Sequence, residues 1–245
     1  MSTDIASPLD AFEHVFETGW MTPTATLDPA RPVLEQLRER VTAMEGGPAR
    51  LPVPVLPALS GLLTMRTGGS YGVDSASLAL ALAAGASGAG EWVGFAGWPD
   101  FGAEAAADLG VRLDRTVLVP DVGDHWLEVT AALVDVLRVV VLRPPARVDA
   151  RSAGVLDARL RKRSSVLVVW GDWPRCEARL SLEDVRWAGP DHGHGRLRSR
   201  HVRVAVRRGS APPVRADLAF PGEAAPIDLL PPAVEPVRAA WRASG

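Results

Sequence analysis

The sequence predicts an α/β fold, with a mostly parallel sheet flanked by helices, antiparallel strands added at its C-terminal side and a helical arm at its N-terminal side. Between Leu62 and Trp170, short apolar segments alternate with helical ones, as in a parallel sheet covered on both faces. After Trp170, polar and apolar residues alternate, which is typical of antiparallel strands. We therefore expect a helical arm over residues 1–50, an α/β core over residues 51–220 and a proline-rich tail over residues 221–245.

Composition limits the classes of function. The chain has 245 residues, 47% of them hydrophobic, which is enough for a full core, and its net charge of −2 does not indicate a general polyanion binder. The charge is uneven: residues 1–50 carry eight carboxylates and four arginines, whereas residues 138–215 carry eighteen basic and seven acidic side chains. This asymmetry suggests a polar partner or an intramolecular pairing. The single cysteine, Cys176, excludes an internal disulfide and a multi-cysteine metal site.

The expected location is the cytoplasm, with nucleoid association when partners are bound. The N-terminal residues lack the basic start and apolar run of a signal peptide. No apolar stretch reaches the length of a membrane helix, so no membrane contact is predicted.

The elements follow in order along the chain. In the arm, Pro32–Glu45 predicts a helix with one apolar face, and the prolines of Leu51–Leu59 predict an extended linker. The segment Leu62–Thr67 predicts a buried strand that ends at a Gly68-Gly69 turn, followed by a helix from Asp74 onward. The later predicted strands are Trp92–Ala96, Thr116–Val119, Val139–Leu142, Val166–Trp170, Ala178–Trp187, Leu197–Val206 and Ala216–Phe220. The helices between them are predicted at Phe101–Leu109, His125–Leu137 and Ala150–Arg161.

A strand, a glycine loop and a helix N-terminus together form the usual cradle for a phosphate. Here the loop reads G-x-x-x-x-D-S-A instead of G-x-x-x-x-G-K-T, and the only lysine of the chain is the distant Lys162. Two interpretations are a loop that binds nucleotide without hydrolysis and a turn that the fold requires. The second is favoured because Asp74 opposes the attraction of a helix N-terminus for anions. The residues of this degenerate phosphate loop are Gly69, Ser70, Gly72, Asp74, Ser75 and Ala76.

The order of elements from about Leu51 to Phe220 resembles the core of RecA-type recombinases. More closely, the chain resembles their shortened ImuA-type branch (actinobacterial ImuA′-like), found beside the mutasome polymerase subunit ImuB. The short blocks that carry this resemblance are Ala107–Val111 with Asp114, Val119–Asp121, Leu142–Pro145, Gly171–Pro174, and Trp187–Gly189 before His192–Leu197.

The resemblance implies that the catalytic residues of RecA are lost. The phosphate-binding lysine falls on Ser75, the magnesium-binding threonine on Ala76, the general-base glutamate near Trp98 and the carboxylate after the fourth strand on Arg143. Hydrolysis of ATP needs charge neutralisation, a metal and an oriented water. The resemblance therefore implies a protein that is not an enzyme and that uses no cofactor.

By the same resemblance, we expect an accessory scaffold in SOS-induced translesion DNA synthesis. Its partners would be an ImuB-like polymerase subunit and RecA, with weak contact to DNA. Two alternatives stay open: a SulA-like inhibitor of cell division, and a RecA-like NTPase with rewired catalytic residues.

Several other residues are candidates for contacts. Five arginines are predicted on one strand face, given a shift of phase within the strand: Arg196, Arg198, Arg200, Arg203 and Arg207. Such a stripe binds phosphates or is simply a solvated face, and the second is favoured because no aromatic residue lies between Gly189 and Phe220 to stack on bases. A helix that includes Val234, Val237 and Trp241 is a candidate for capture by a partner.

Two further groups of residues, a histidine pair and four tryptophans, have either a binding role or a purely structural one. His192 and His194 lack other ligands at zinc spacing, so a glycine-rich hairpin is favoured over a metal site. Four tryptophans lie at or just beyond predicted strand ends, where they either fill the ligand crevice of the sheet or pack in an ordinary way. They are Trp98, Trp126, Trp170 and Trp173.

Overall fold

The computed structural model describes residues 49–188, 199–220 and 226–231. The predicted helices of the arm and the tail, Pro32–Glu45 and the one around Trp241, lie outside these ranges. The α-helices described are α1 (Pro57–Ser60), α2 (Ala76–Gly88), α3 (Ala103–Asp108), α4 (Trp126–Val136) and α5 (Ala150–Arg163), and two short 3-10 helices span Leu113–Arg115 and Gly123–His125. The strands are β1 (Pro52–Val53), β2 (Met65–Arg66), β3 (Ser70–Val73), β4 (Val93–Ala96), β5 (Thr116–Val119), β6 (Val139–Leu142), β7 (Val166–Trp170), β8 (Ala178–Ala188), β9 (Ser199–Arg207), β10 (Val214–Phe220) and β11 (Asp228–Leu229).

Nine of the described strands form one mixed sheet in the order β11-β10-β9-β8-β3-β7-β6-β4-β5. The six strands from β8 to β5 are parallel to their neighbours, and β8 to β11 pair in an antiparallel manner. The predicted α/β class is thus confirmed, with a parallel part and an antiparallel extension built from the C-terminal strands.

Two apolar cores lie on opposite faces of the sheet. Val139 and Val141 of β6 belong to the core that also contains α2, whereas Val140 and Leu142 belong to the core of α4 and α5. This division follows from the strand geometry, because successive side chains point to opposite faces. The short, fully apolar strands are therefore buried on both sides, as the sequence pattern predicts.

Helix α2 is the most deeply buried helix of the described residues. Its positions from Leu78 to Ala84 are all buried, and its sequence is almost entirely Ala, Leu, Gly and Ser. Such a helix, apolar on every side, forms because Ala and Leu have high helix propensity and because neighbouring segments cover all its faces. The segment after β1 crosses it so closely that a Cβ on Gly85 would lie 2.4 Å from the Cα of Val55.

The first predicted strand is wrong. Of Leu62–Thr67, only Met65–Arg66 is extended, and it pairs with β1 outside the main sheet. The central strand is Ser70–Val73, after the glycine pair instead of before it. This segment enters the sheet because its backbone pairs with β7 on one side and β8 on the other, while Tyr71 and Val73 are buried.

The other predicted strands are confirmed closely, and three of them to the residue: Thr116–Val119, Val139–Leu142 and Val166–Trp170. Strand β8 differs in one respect from the predicted antiparallel strand. Its first residues, Ala178–Leu180, pair in parallel with β3, and only its other side pairs with β9 in an antiparallel manner. The connection from β7 to β8 spans residues 171–177 without a helix.

Candidate functional site

The parallel strands end together at one edge of the sheet, which we call the carboxyl edge. In open α/β sheets this edge holds the ligand crevice. The residues that follow the strands here are Asp74 after β3, Trp98 close behind β4, Arg143 after β6 and Gly171 after β7. The site is therefore built from side chains that are far apart in sequence.

The predicted glycine loop does not exist as a loop. Gly69 precedes β3, and Ser70 and Gly72 are buried within it. Only Asp74 and Ser75 connect β3 to α2. A connection this short has no run of free backbone N–H groups with which to surround a phosphate.

The polar groups of this connection are already bonded within the chain. Both carboxylate oxygens of Asp74 accept from the backbone N–H of Leu182, at 3.2 and 3.1 Å. The hydroxyl of Ser75 accepts from the N–H of Leu78 at 3.3 Å and so caps α2. Partial burial raises the pKa of Asp74, although the hydrogen bond from Leu182 and the charge of Arg179 act in the opposite direction. The connection is thus a capped helix start with an acidic side chain.

Aromatic rings fill the crevice behind β4 and β7. The ring of Trp98, which is 4% exposed, lies 4.7 Å from that of Trp170 and 5.5 Å from that of Phe101, centre to centre. Phe95 contacts both Trp98 and Phe101. The position where the resemblance places a general base is therefore part of a packed aromatic cluster.

Arg143 covers this cluster from the solvent side. Its guanidinium carbon lies 4.4 Å from the centre of the Trp170 ring, and its Nη1 donates to Asp100 at 3.0 Å. A cation over the face of Trp is attracted by the ring quadrupole. At this position the resemblance requires a carboxylate, and Arg143 instead holds the indole and a neighbouring carboxylate together.

A shallow groove runs beside this cluster between the segments that follow β6 and β7. It comprises two adjoining depressions of about 380 and 340 Å³ that share Arg147 and Asp172. Arg179 borders it and donates to the carbonyl oxygen of Gly171 at 3.2 Å. Trp173 also lines this groove; its side chain is 4% exposed and packs in the core of α4 and α5. Trp126, the fourth predicted tryptophan, begins α4 and is partly buried against the same core.

The crevice of the carboxyl edge is therefore closed by packed rings, and a shallow groove lies beside it. Within the described ranges there is no group of three or more His, Cys, Asp or Glu side chains that could hold a metal ion. A phosphate loop uses a lysine and a hydroxyl to bind phosphate and magnesium. The β3–α2 connection, Asp74-Ser75, has no lysine, and the hydroxyl of Ser75 caps the helix.

The arginine stripe is also corrected by the structure. Arg196 and Arg198 lie outside the described residues, as do His192 and His194. Arg200 shares the core face of β9, whereas Arg203 and Arg207 point to the opposite face. The expected shift of phase in this strand is absent because β9 pairs with β10 without interruption, and the irregularity lies in β8, between Glu183 and Arg186.

One of these arginines, Arg203, forms ion pairs within the chain. The Nε of Arg203 donates to Asp217 at 2.9 Å, and its Nη1 lies 3.3 Å from Asp184. Arg207 remains exposed at the end of its strand. The described arginines thus form no continuous basic stripe.

Arg200 makes a contact that sequence reasoning missed. Its guanidinium lies 5.4 Å from the centre of the Trp187 ring and 5.1 Å from that of Phe220. Both rings come from the strands that flank β9, directly opposite Arg200 in register. A search for aromatic residues within the arginine segment does not find them, whereas a prediction of strand register could.

The remaining predicted partner residues, Val234, Val237 and Trp241, fall outside the described ranges. In the part of the chain that the structure describes, no helix has the length and apolar character needed to cross a membrane.

Comparison with known proteins identifies relatives of this chain. Residues 54–175, which contain β2–β7 and all five described α-helices, match the family model of the MT3502 N-terminal domain. A Mycobacterium tuberculosis (strain ATCC 25618 / H37Rv) protein named "Uncharacterized protein Rv3395c" is 32% identical over 161 residues, which span 60% of this chain and 74% of that protein. The chain therefore belongs to the protein family that includes Rv3395c and that the MT3502 N-terminal domain describes.

Proposed function

We propose that this protein is a non-catalytic accessory protein with a RecA-like core, and that it acts in SOS-induced translesion DNA synthesis by binding an ImuB-like polymerase subunit, with RecA as a second candidate partner. The observation that carries the proposal is the closed carboxyl edge. In an open α/β sheet this edge is the place for a nucleotide. Here it holds a two-residue connection, packed rings and an arginine.

The arrangement of the sheet supports the RecA-like part of the proposal. Strand β3, which lies within the degenerate phosphate-loop segment Gly69–Ala76, is central, and the next four strands along the chain lie together on one side of it. The antiparallel strands extend the sheet on the other side. Apart from the first strand, which lies after the glycine pair instead of before it, this is the order of elements on which the resemblance in sequence rests.

The electrostatics of the edge support the absence of catalysis. Phosphoryl transfer requires cations that neutralise the charge on the γ-phosphate. At the β3–α2 connection the one charged side chain is instead the carboxylate of Asp74. Arg143 is engaged with Trp170 and Asp100. We therefore assign the function of this protein to binding of partners by its surfaces.

The test is a pull-down of an ImuB-like polymerase subunit from the same organism by the full-length tagged protein. We expect capture by the intact chain and weaker capture after deletion of residues 234–241. Unchanged capture by the deletion variant transfers the binding site to another surface. No capture by the intact chain contradicts the proposal, and cell filamentation on expression without a change in mutation rate favours a SulA-like inhibitor of division instead.

A second measurement addresses catalysis directly. Isothermal titration with ATP and Mg²⁺ is expected to show no heat of binding, and Ser75→Ala is expected to leave that result unchanged while it weakens the cap of α2. Magnesium-dependent ATP turnover that Ser75→Ala abolishes would establish a rewired NTPase.

A further inference from the structure

We propose that the end of the β8–β9 ribbon is a contact site for single-stranded nucleic acid, in which a base stacks on Trp187 and Arg200 faces the phosphate backbone. The site is a row of three side chains that lie directly opposite one another on adjacent strands: Trp187 on β8, Arg200 on β9 and Phe220 on β10. We call it the stacking row.

Trp187 has the exposure that stacking requires. It is 57% exposed, the most exposed tryptophan of the described residues, whereas Phe220 at the other end of the row is 6% exposed. Phe220 thus anchors the row to the core of α2. An exposed indole held by a neighbouring guanidinium offers a flat surface for a base, and every base has a face that can stack on it.

Arg200 supplies a cation without a partner of opposite charge. It is half-buried between two rings, and no carboxylate in the described part of the chain pairs with it. The neighbouring arginines differ, because Arg203 pairs with Asp217 and Arg215 pairs with Glu183. Burial lowers the pKa of Arg200, yet a guanidinium stays charged at physiological pH. A half-buried cation of this kind is best satisfied by an anionic ligand.

The charge of the sequence around the stacking row favours a polyanion as that ligand. Between Val185 and Val202 the sequence carries four arginines and a single carboxylate, Asp191. The base-stacking surface favours single strands over duplex, since bases in a duplex are already stacked on one another. Strand β3 pairs with β8 only as far as Leu180, so the part of β8 that carries Trp187 lies beyond the parallel pairing.

The experiment measures binding of fluorescein-labelled oligodeoxythymidine, about 20 nucleotides long, by anisotropy at low salt. Trp187→Leu and Arg200→Ala are each expected to raise Kd about tenfold, and Trp187→Phe to raise it less, because it keeps an aromatic face. Two matched controls are expected to cause little change: Trp92→Leu, which alters a tryptophan 48% exposed elsewhere, and Arg207→Ala, which removes the same charge from the opposite face of β9.

Three outcomes overturn the proposal. The first is no binding by the full chain at low salt. The second is an equal loss for Arg200→Ala and Arg207→Ala together with no loss for Trp187→Leu, which indicates non-specific charge attraction. The third is that polyglutamate displaces the labelled oligonucleotide as effectively as unlabelled oligodeoxythymidine does. That result would assign the site to an acidic protein partner. Far-ultraviolet circular dichroism of each variant confirms that the fold is retained.

Discussion

The guanidinium of Arg143 lies 4.4 Å from the centre of the Trp170 ring, at the point where β6 and β7 end side by side. This pair covers the aromatic cluster that fills the carboxyl edge. An edge that holds the ligand in many α/β proteins is here stabilised by its own side chains. Changes at this edge are therefore expected to alter the stability of the protein.

Arg143→Ala is expected to destabilise the protein by about 1 kcal/mol, because it removes the cation from the Trp170 face and the hydrogen bond to Asp100. It is also expected to shift tryptophan emission to longer wavelength as the ring gains water. Urea unfolding followed by fluorescence measures both. Arg147→Ala, which removes a nearby exposed arginine, is the control, and an equal loss of stability in both variants contradicts the prediction.

Gly85→Ala in α2 is expected to destabilise the protein by at least about 2 kcal/mol, although alanine has a higher helix propensity than glycine. The added Cβ would lie 2.4 Å from the Cα of Val55, and a backbone atom cannot move aside cheaply. The matched variant is Gly154→Ala in α5, where nothing lies within 4 Å of the added Cβ. That variant is expected to gain about 0.5–1 kcal/mol. Relative to the parent, the melting temperature should fall for Gly85→Ala and rise for Gly154→Ala. Shifts of both melting temperatures in the same direction would disprove the close approach at Gly85.

Asp74→Asn is expected to be at least as stable as the parent at pH 7. The pKa of Asp74 is raised from its ordinary 3.8, so its contribution to stability is complete below that pH and is lost as the pH rises through the raised pKa. Asparagine mimics the protonated form and still accepts from the N–H of Leu182. Asp74→Ala leaves that N–H without its acceptor and should cost about 1 kcal/mol. Urea unfolding at pH 4 and pH 7 checks this, and an Asn variant less stable than the Ala variant refutes it.

Asp135→Asn is expected to lower stability at neutral pH but not near pH 2. Arg159 and Arg163, whose Nε atoms lie 2.6 and 3.1 Å from the carboxylate, hold the pKa of Asp135 at about 2. The contribution of this carboxylate is present above its ordinary pKa of 3.8 and is lost as the pH falls toward 2. Melting temperatures from pH 2 to pH 7 should therefore converge at the acidic end. Asp108→Asn, at an exposed position on α3, is the control for loss of one charge.

Much of the fold could be predicted because its signal is local. A run such as Val139–Leu142 is apolar at every position, and only a strand buried on both faces suits four such residues between two helical segments. The helix after the glycine pair was likewise predictable from its alanines and leucines. The position of the strand before it was not, since Leu62–Thr67 carries the stronger apolar signal and Ser70–Val73, with a serine and a glycine, is nevertheless the segment that pairs with β7 and β8.

The candidate site was less predictable than the fold. An assumed shift of phase placed Arg200 and Arg203 on one face, whereas the uninterrupted pairing of β9 with β10 places them on opposite faces. The rings that contact Arg200 come from other strands, so no window of sequence around it contains them. Only strand register reveals such a row.

The amino-acid sequence by itself determined the class of the fold and the limits of most strands, because helix propensity and the burial pattern of a strand act over a few neighbouring residues. Tertiary structure decided which segment became the central strand, how β8 pairs on its two sides, and which rings meet Arg143 and Arg200. The physical reason is that backbone pairing and ring contacts join residues distant in sequence, and their free energy exists only once the sheet has assembled.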